Sequence, residues 1–122
     1  MRFEFRFDRL GSSVMTPLGA GRKASHIDVS DTEVDVRLGW TFSAHIPRSS
    51  VQSAQLHEAS TLSRGAHGWR GKWLVNGAGT GLVTITLDPP AHGRVAGFPV
   101  KLRELIVSAD APDDLVAALS VG

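Results

Sequence analysis

Cysteine is absent from this 122-residue chain. That excludes disulfide bonds and thiol catalysis, and a cytoplasmic location is the expectation. The chain also lacks any run approaching the ~20 consecutive apolar residues that span a bilayer, because charges or glycines interrupt every candidate. Its first residues, MRFEFRFDRL, alternate charged and apolar side chains instead of offering the unbroken apolar core of a secretion signal. A strong excess of either charge is missing as well: 13 Lys and Arg stand against 12 Asp and Glu, for a net charge of +1. A dedicated nucleic-acid binder carries a much larger basic excess, so nucleic acid is not expected as a partner. What remains is ordinary, with 42% hydrophobic and 20% charged residues, and fits one folded domain over residues 1–122. A chain of this size buries roughly two thirds of its unfolded surface, enough for one core without metal or disulfide staples.

The apolar pattern is mostly that of strands. Phe3, Phe5 and Phe7 share one side of an extended segment and Arg2, Glu4 and Arg6 the other. GSSVMTPLGAGRKAS (11–25) breaks the period and is expected to be a long loop. Ile27 and Val29 resume the alternation; turn chemistry at Ser30-Asp31-Thr32 then leads into Val34, Val36 and Leu38, which predicts a hairpin. Trp40, Phe42, Ala44 and Ile46 form the next apolar face, which Pro47 ends. VQSAQLHE (51–58) alternates weakly, as an edge strand does. ASTLSRGAHGWRG (59–71) has no period, and Lys72 restarts a strand. LVTITLD (82–88), closed by Pro89 and Pro90, is the clearest strand, and RVAGFPV (94–100) and LRELIVS (102–108) add two more. Only the tail reads as helix, with Asp110 as cap, Pro112 in the first turn, Asp113 and Asp114 at the positive end of the dipole, and Leu115, Val116 and Leu119 on one face.

The stretch GKWLVNGAGTG (71–81) spaces Gly77, Gly79 and Gly81 at alternate positions, but a dinucleotide fingerprint puts its third glycine where Leu82 stands and is followed by a helix. A strand follows here. A P-loop around Gly71-Lys72 fails at Ala66 and at Trp73. Asn76-Gly77 between apolar runs instead predicts a hairpin turn, and no nucleotide is expected. His26, His45, His57, His67 and His92 are scattered, and His57-Glu58 does not continue as H-E-x-x-H because residue 61 is Thr; no metal and no cofactor are expected. There is no G-x-S-x-G elbow, and Asp31, Glu33 and Asp35 read as a solvated strand face. One local charge asymmetry stands out. No acidic residue lies between Glu58 and Asp88, while Arg64, Trp69, Arg70, Lys72 and Trp73 do. Arg beside exposed Trp suits an anion or a lipid headgroup, so Arg64, Trp69, Arg70 and Lys72 are the candidate ligand-binding residues.

Two stretches, IDVSDTEVDVRLGWTFSAHIPRSSV (27–51) and IVSADAPDDLVAAL (106–119), resemble the early strands and the strand-to-helix ending of the bacterial pleckstrin-homology-like family, and the likeness covers most of residues 25–120. The resemblance implies a mainly β fold: a partly open antiparallel barrel or sandwich of about seven to nine strands with one C-terminal helix. Residues 1–24 supply an N-terminal strand and loop, 25–109 the barrel strands and 110–120 the helix. Members of that family bind phosphoinositides, peptides or proteins. The basic motif used for phosphoinositides is represented here only by Arg22-Lys23, so no lipid site is carried over. The expected function is a non-enzymatic interaction module for a protein, a peptide or an anionic headgroup, including weak attachment to an anionic membrane surface. The alternatives are a carrier with an apolar ligand inside the barrel and a small enzyme whose polar groups converge only in three dimensions.

Overall fold

Side chains that alternate between apolar and polar along an extended chain can bury one face only, and this chain solves that by curling one sheet around its own apolar side. The computed structural model describes residues 1–16, 21–57 and 65–120. Its elements are β1 (Arg2–Phe3), α1 (Arg9–Met15), β2 (Ser25–Val29), β3 (Glu33–Leu38), β4 (Phe42–Pro47), β5 (Val51–His57), β6 (Gly65–Trp69), β7 (Lys72–Asn76), β8 (Leu82–Val95), β9 (Phe98–Ser108) and α2 (Pro112–Ser120). All nine strands join one sheet in the order β1-β2-β3-β4-β8-β9-β7-β6, with β5 attached to β8. β8 is long enough to serve two neighbours on one edge. Residues 82–87 pair with β5 and residues 93–95 with β4, while its other edge follows β9. The result is a mainly β, partly open half-barrel with a helix at its C-terminus.

The core follows the sequence pattern. Phe3, Phe5 and Phe7 are all buried, and Phe5 and Phe42 are the largest of the fully buried side chains, among Ile27, Leu38, Ile46, Ile85, Leu102 and Leu105. Each such aliphatic or aromatic side chain contributes about 1.5 to 3 kcal/mol on leaving water. The predicted β2–β3 hairpin is present in the register Ile27↔Val36, its turn held by Ser30, whose Oγ accepts from the Glu33 N–H at 3.1 Å. In α2, Leu115 and Leu119 are buried against the sheet and Val116 only half so.

Several expectations need correction. The sheet is not wholly antiparallel, because β7 runs parallel to β9 in the register Lys72↔Glu104 to Val75↔Val107. Asn76-Gly77 is therefore no hairpin turn: β9 lies between β7 and β8, and the loop between them steps over its end. The two-residue hairpin turns are Arg70-Gly71 and Ala96-Gly97, where both residues have positive φ (53° and 86°, 49° and 86°), as turns that match strand twist require. Pro89 and Pro90 do not close β8. The register to β9 moves from Thr86↔Glu104 to Ala91↔Leu102, so residues 87–90 bulge opposite Arg103 alone, and a bulge is where a strand tolerates a missing donor. Instead of two short strands, residues 94–108 hold the end of β8, a turn at 96–97 and one strand, β9. Residues 65–69, expected to be aperiodic, form β6 through pairing with β7.

The N-terminal region also departs from the expected loop. Asp8 caps α1, its Oδ1 accepting from the Gly11 N–H at 2.7 Å, and Met15 at the helix end is buried. The second helix starts at Pro112, so the cap position is Ala111 and not Asp110.

Candidate anion-binding groove

The β6–β7 hairpin ends halfway along β9, and a groove opens where it stops. Its turn is clamped to β9, with the N–H groups of Arg103 and Glu104 both donating to the Gly71 carbonyl, at 2.8 and 3.1 Å. The Arg103 side-chain stem packs on Gly71, where an added Cβ would come within 3.1 Å of it. On the hairpin itself Gly68 faces Trp73 across the strands, and a Cβ on Gly68 would overlap the indole; the missing side chain is what lets the ring lie flat there. The groove so formed encloses about 530 Å³ and is lined by Gly68, Arg70, Gly71, Trp73, Val100, Lys101 and Arg103.

Every charge in that lining is positive. Arg70, Lys101 and Arg103 come from two elements and are exposed, and the half-buried Trp73 supplies a flat apolar wall. Arg70 sits in the left-handed region at φ 53°, where glycine or asparagine is at ease and arginine strained by roughly 1 to 2 kcal/mol. The lining contains no carboxylate, imidazole, hydroxyl or thiol to act as a nucleophile or general base, whereas planar guanidinium groups bind oxyanions with two parallel N–H···O bonds. The arrangement can hold an anion and stack a planar group on Trp73. It offers little else.

Of the four candidate residues, the structure brings one, Arg70, into the groove. Lys72 is exposed, but strand alternation turns it to the face opposite Trp73. Trp69 lies in β6 with its backbone paired to Lys72, and Arg64 falls outside the described residues. Trp73 was noted in the same acid-free stretch but not counted among the candidates, and Lys101 and Arg103 were missed. The signal for these two was a second acid-free stretch, 89–103, which carries Lys101-Leu102-Arg103.

The glycine stretch is occupied by the chain's own groups. Gly79 N–H donates to Asp8 Oδ2 at 3.3 Å, Gly77 N–H to Ser108 Oγ at 2.9 Å, and the Arg6 guanidinium lies over the loop, 3.4 Å from Thr80 Oγ1 and 3.3 Å from the Asp110 carbonyl. One amide of the stretch, that of Gly79, thus meets an anion after all, and it is the carboxylate that caps α1. Across β2, β3 and β4 Asp35 lies between two histidines, His26 at 3.5 Å and His45 at 3.2 Å, which the scattered positions in sequence do not suggest. At the sheet edge Arg2 donates to Asp28 at 2.8 Å, and this bond holds the Asp28 carboxyl below the usual aspartate range. No family model, curated protein or solved structure matches the chain.

Proposed function

We propose that the protein is a non-enzymatic binding module that takes a multiply charged oxyanion, of the phosphate class, into the groove between the β6–β7 turn and β9. The observation that carries the proposal is the convergence of Arg70, Lys101 and Arg103 around one groove with no acidic group in its lining. A backbone-paired peptide fits that edge less well. β9 turns the N–H of Arg103 toward β7, so alternation turns Lys101 and Pro99 the same way, and Pro99 has no donor to give an added strand. A carrier has little room, because Phe5, Phe42, Leu38, Ile85 and Leu105 fill the inside of the curl.

The test is a titration with pyrophosphate at ~10 mM salt, where the Debye length is about 30 Å and screening is weak. Amide shifts should saturate and be confined to residues near 70–73 and 100–103. Arg103→Gln and Lys101→Gln should each weaken binding about tenfold, the ~1.4 kcal/mol expected from losing part of a charge-assisted contact. A wild-type protein showing no saturable shift overturns the reading.

A further inference from the structure

Two of the most exposed large apolar side chains belong to adjoining turns at one end of the sheet. Trp40 is 57% exposed and Phe98 74%. Trp40 sits in the β3–β4 turn, where Gly39 at φ 54° reverses the chain, and Phe98 follows the Ala96-Gly97 turn between β8 and β9. The two turns are stitched together. The Ala96 N–H donates to the Thr41 carbonyl at 2.9 Å, and Phe42 pairs with Val95, which in turn pairs with Phe98. Both aromatics are therefore carried on rigid hairpin ends, not on a wandering loop.

Cations belong to the same end of the sheet. Lys23 lies in a short helical turn whose Ala24 carbonyl accepts the Gly39 N–H at 3.0 Å; Arg94 donates to the Gly97 carbonyl at 3.2 Å; Arg37 is on β3, one residue before the Leu38↔Phe42 pair. All three are exposed. No Asp or Glu occurs in residues 21–27, 36–44 or 89–103, the segments that make up this end. Acidic side chains gather elsewhere. Asp31 is in the β2–β3 turn, and Asp110, Asp113 and Asp114 follow the far end of β9.

We infer that this end docks on an anionic lipid bilayer, with Trp40 and Phe98 entering the interface and Lys23, Arg37 and Arg94 on the headgroups. Indole and phenyl rings on a fixed tip suit the boundary between headgroup and acyl chain, and basic residues beside them draw the tip to negative lipid. Most of both rings stays in water, and large exposed apolar groups grouped at one end mark a contact surface. The inference goes beyond the groove: it rests on other residues and stands or fails separately from pyrophosphate binding.

The experiment uses the full chain with vesicles of phosphatidylcholine containing about one third phosphatidylserine, or of phosphatidylcholine alone, at ~50 mM salt. Expected are co-sedimentation with the anionic vesicles only, and quenching of tryptophan emission by brominated lipid that is lost in Trp40→Phe. Trp40→Ser and Phe98→Ser should each weaken vesicle binding roughly tenfold, and the pair more, while pyrophosphate binding stays unchanged. Lys23→Glu with Arg94→Glu should abolish it. Three results overturn the inference: no binding to anionic vesicles, binding that the double serine variant retains, or concentration-dependent dimerisation that this variant removes, which would make the tips a contact between copies of the chain.

Discussion

Asp8→Ala is the sharpest test of how the N-terminal segment is held. One carboxylate serves two backbone donors far apart in sequence: Oδ1 accepts from Gly11 at 2.7 Å and caps α1, and Oδ2 accepts from Gly79 at 3.3 Å in the β7–β8 loop. Losing an Asp cap costs about 0.5 to 2 kcal/mol. The longer bond to Gly79 adds about 0.5 to 1.5 kcal/mol, the net range for a hydrogen bond in water. The variant should therefore lose ~1 to 3.5 kcal/mol, a large part of a typical small-domain stability. With a urea m-value of ~1 to 3 kcal/mol/M the midpoint falls by about 1 M. Asp8→Asn separates the two contributions, because its single side-chain oxygen can still cap Gly11 while its amide offers Gly79 a donor instead of an acceptor; it should lose about half as much. Amide exchange reports each bond directly, with Gly79 accelerated in both variants and Gly11 in Asp8→Ala alone. If Asp8→Ala unfolds within ~0.3 kcal/mol of wild type and Gly79 exchange is unchanged, the carboxylate does not tie helix to loop and the reasoning is refuted.

Leu115→Ala, at a side chain with 0% exposure in α2, should cost ~2 to 5 kcal/mol by urea denaturation, and a loss under ~0.5 kcal/mol would mean the helix is not anchored by that residue. Arg70→Gly should hold or raise stability by up to ~1 kcal/mol, since it relieves a left-handed backbone, while weakening pyrophosphate binding; a clear loss of stability would show that the arginine supports the turn. The Arg2 bond and the Coulomb attraction of the same guanidinium lower the Asp28 pKa on folding, so the pair's contribution is complete above the ordinary aspartate pKa and disappears as pH falls through the lowered one. Wild type and Asp28→Asn should accordingly converge in urea midpoint on acidification and on adding salt, and a gap that persists in strong acid contradicts the assignment.

Half-buried antiparallel strands are the part of the fold that a sequence displays most openly, and β2, β3 and β4 were legible to within a residue or two because each alternates against solvent. The Phe3-Phe5-Phe7 row was legible for the same reason, and α2 by its first-turn Pro112, Asp113 and Asp114 and the i, i+4 pair Leu115 and Leu119. β6 was not. Its residues GAHGW have no period of their own, and its place comes from pairing with β7, which also puts Trp73 over Gly68. α1 was missed because Gly11, Ser12 and Ser13 are poor helix formers and its cap, Asp8, lies at the end of an extended segment. Asn76-Gly77 was misread since local turn propensity cannot see that β9 takes the place beside β7; the Asn76 amide donates instead to the Ala78 carbonyl at 2.7 Å. The groove was half legible. Arg70 could be found from a charge asymmetry in its own segment, but Lys101 and Arg103 reach it only through the parallel β7–β9 pairing, a contact between segments some thirty residues apart.

The net charge of +1 conceals how the charges are distributed. Arg37, Lys23, Arg94, Lys101, Arg103 and Arg70 all belong to the end of the sheet where β9 begins or to the groove beside its first half, whereas Asp110, Asp113 and Asp114 follow its last residue. Eleven residues of strand at ~3.3 Å each separate those ends by about 35 Å. The Debye length at physiological salt is about 8 Å, so a partner at the basic end is screened from the acids at the other and meets a local field with the sign of the nearby cations. Whole-chain arithmetic is thus the wrong measure for this protein. A neutral sum excludes a uniformly basic surface, but it leaves room for a locally basic end, and a local field turns an approaching molecule before contact. The same orientation that brings Trp40 and Phe98 toward an anionic bilayer also turns the groove toward it, which is why groove variants and tip variants must be measured separately, with soluble anion and with vesicles. Charge reversal at Arg37 and Lys23, distant in sequence from the groove, should slow vesicle capture at low salt and leave pyrophosphate affinity unaltered. An equal loss of both would mean that one diffuse basic field accounts for everything and that the groove has no specificity of its own.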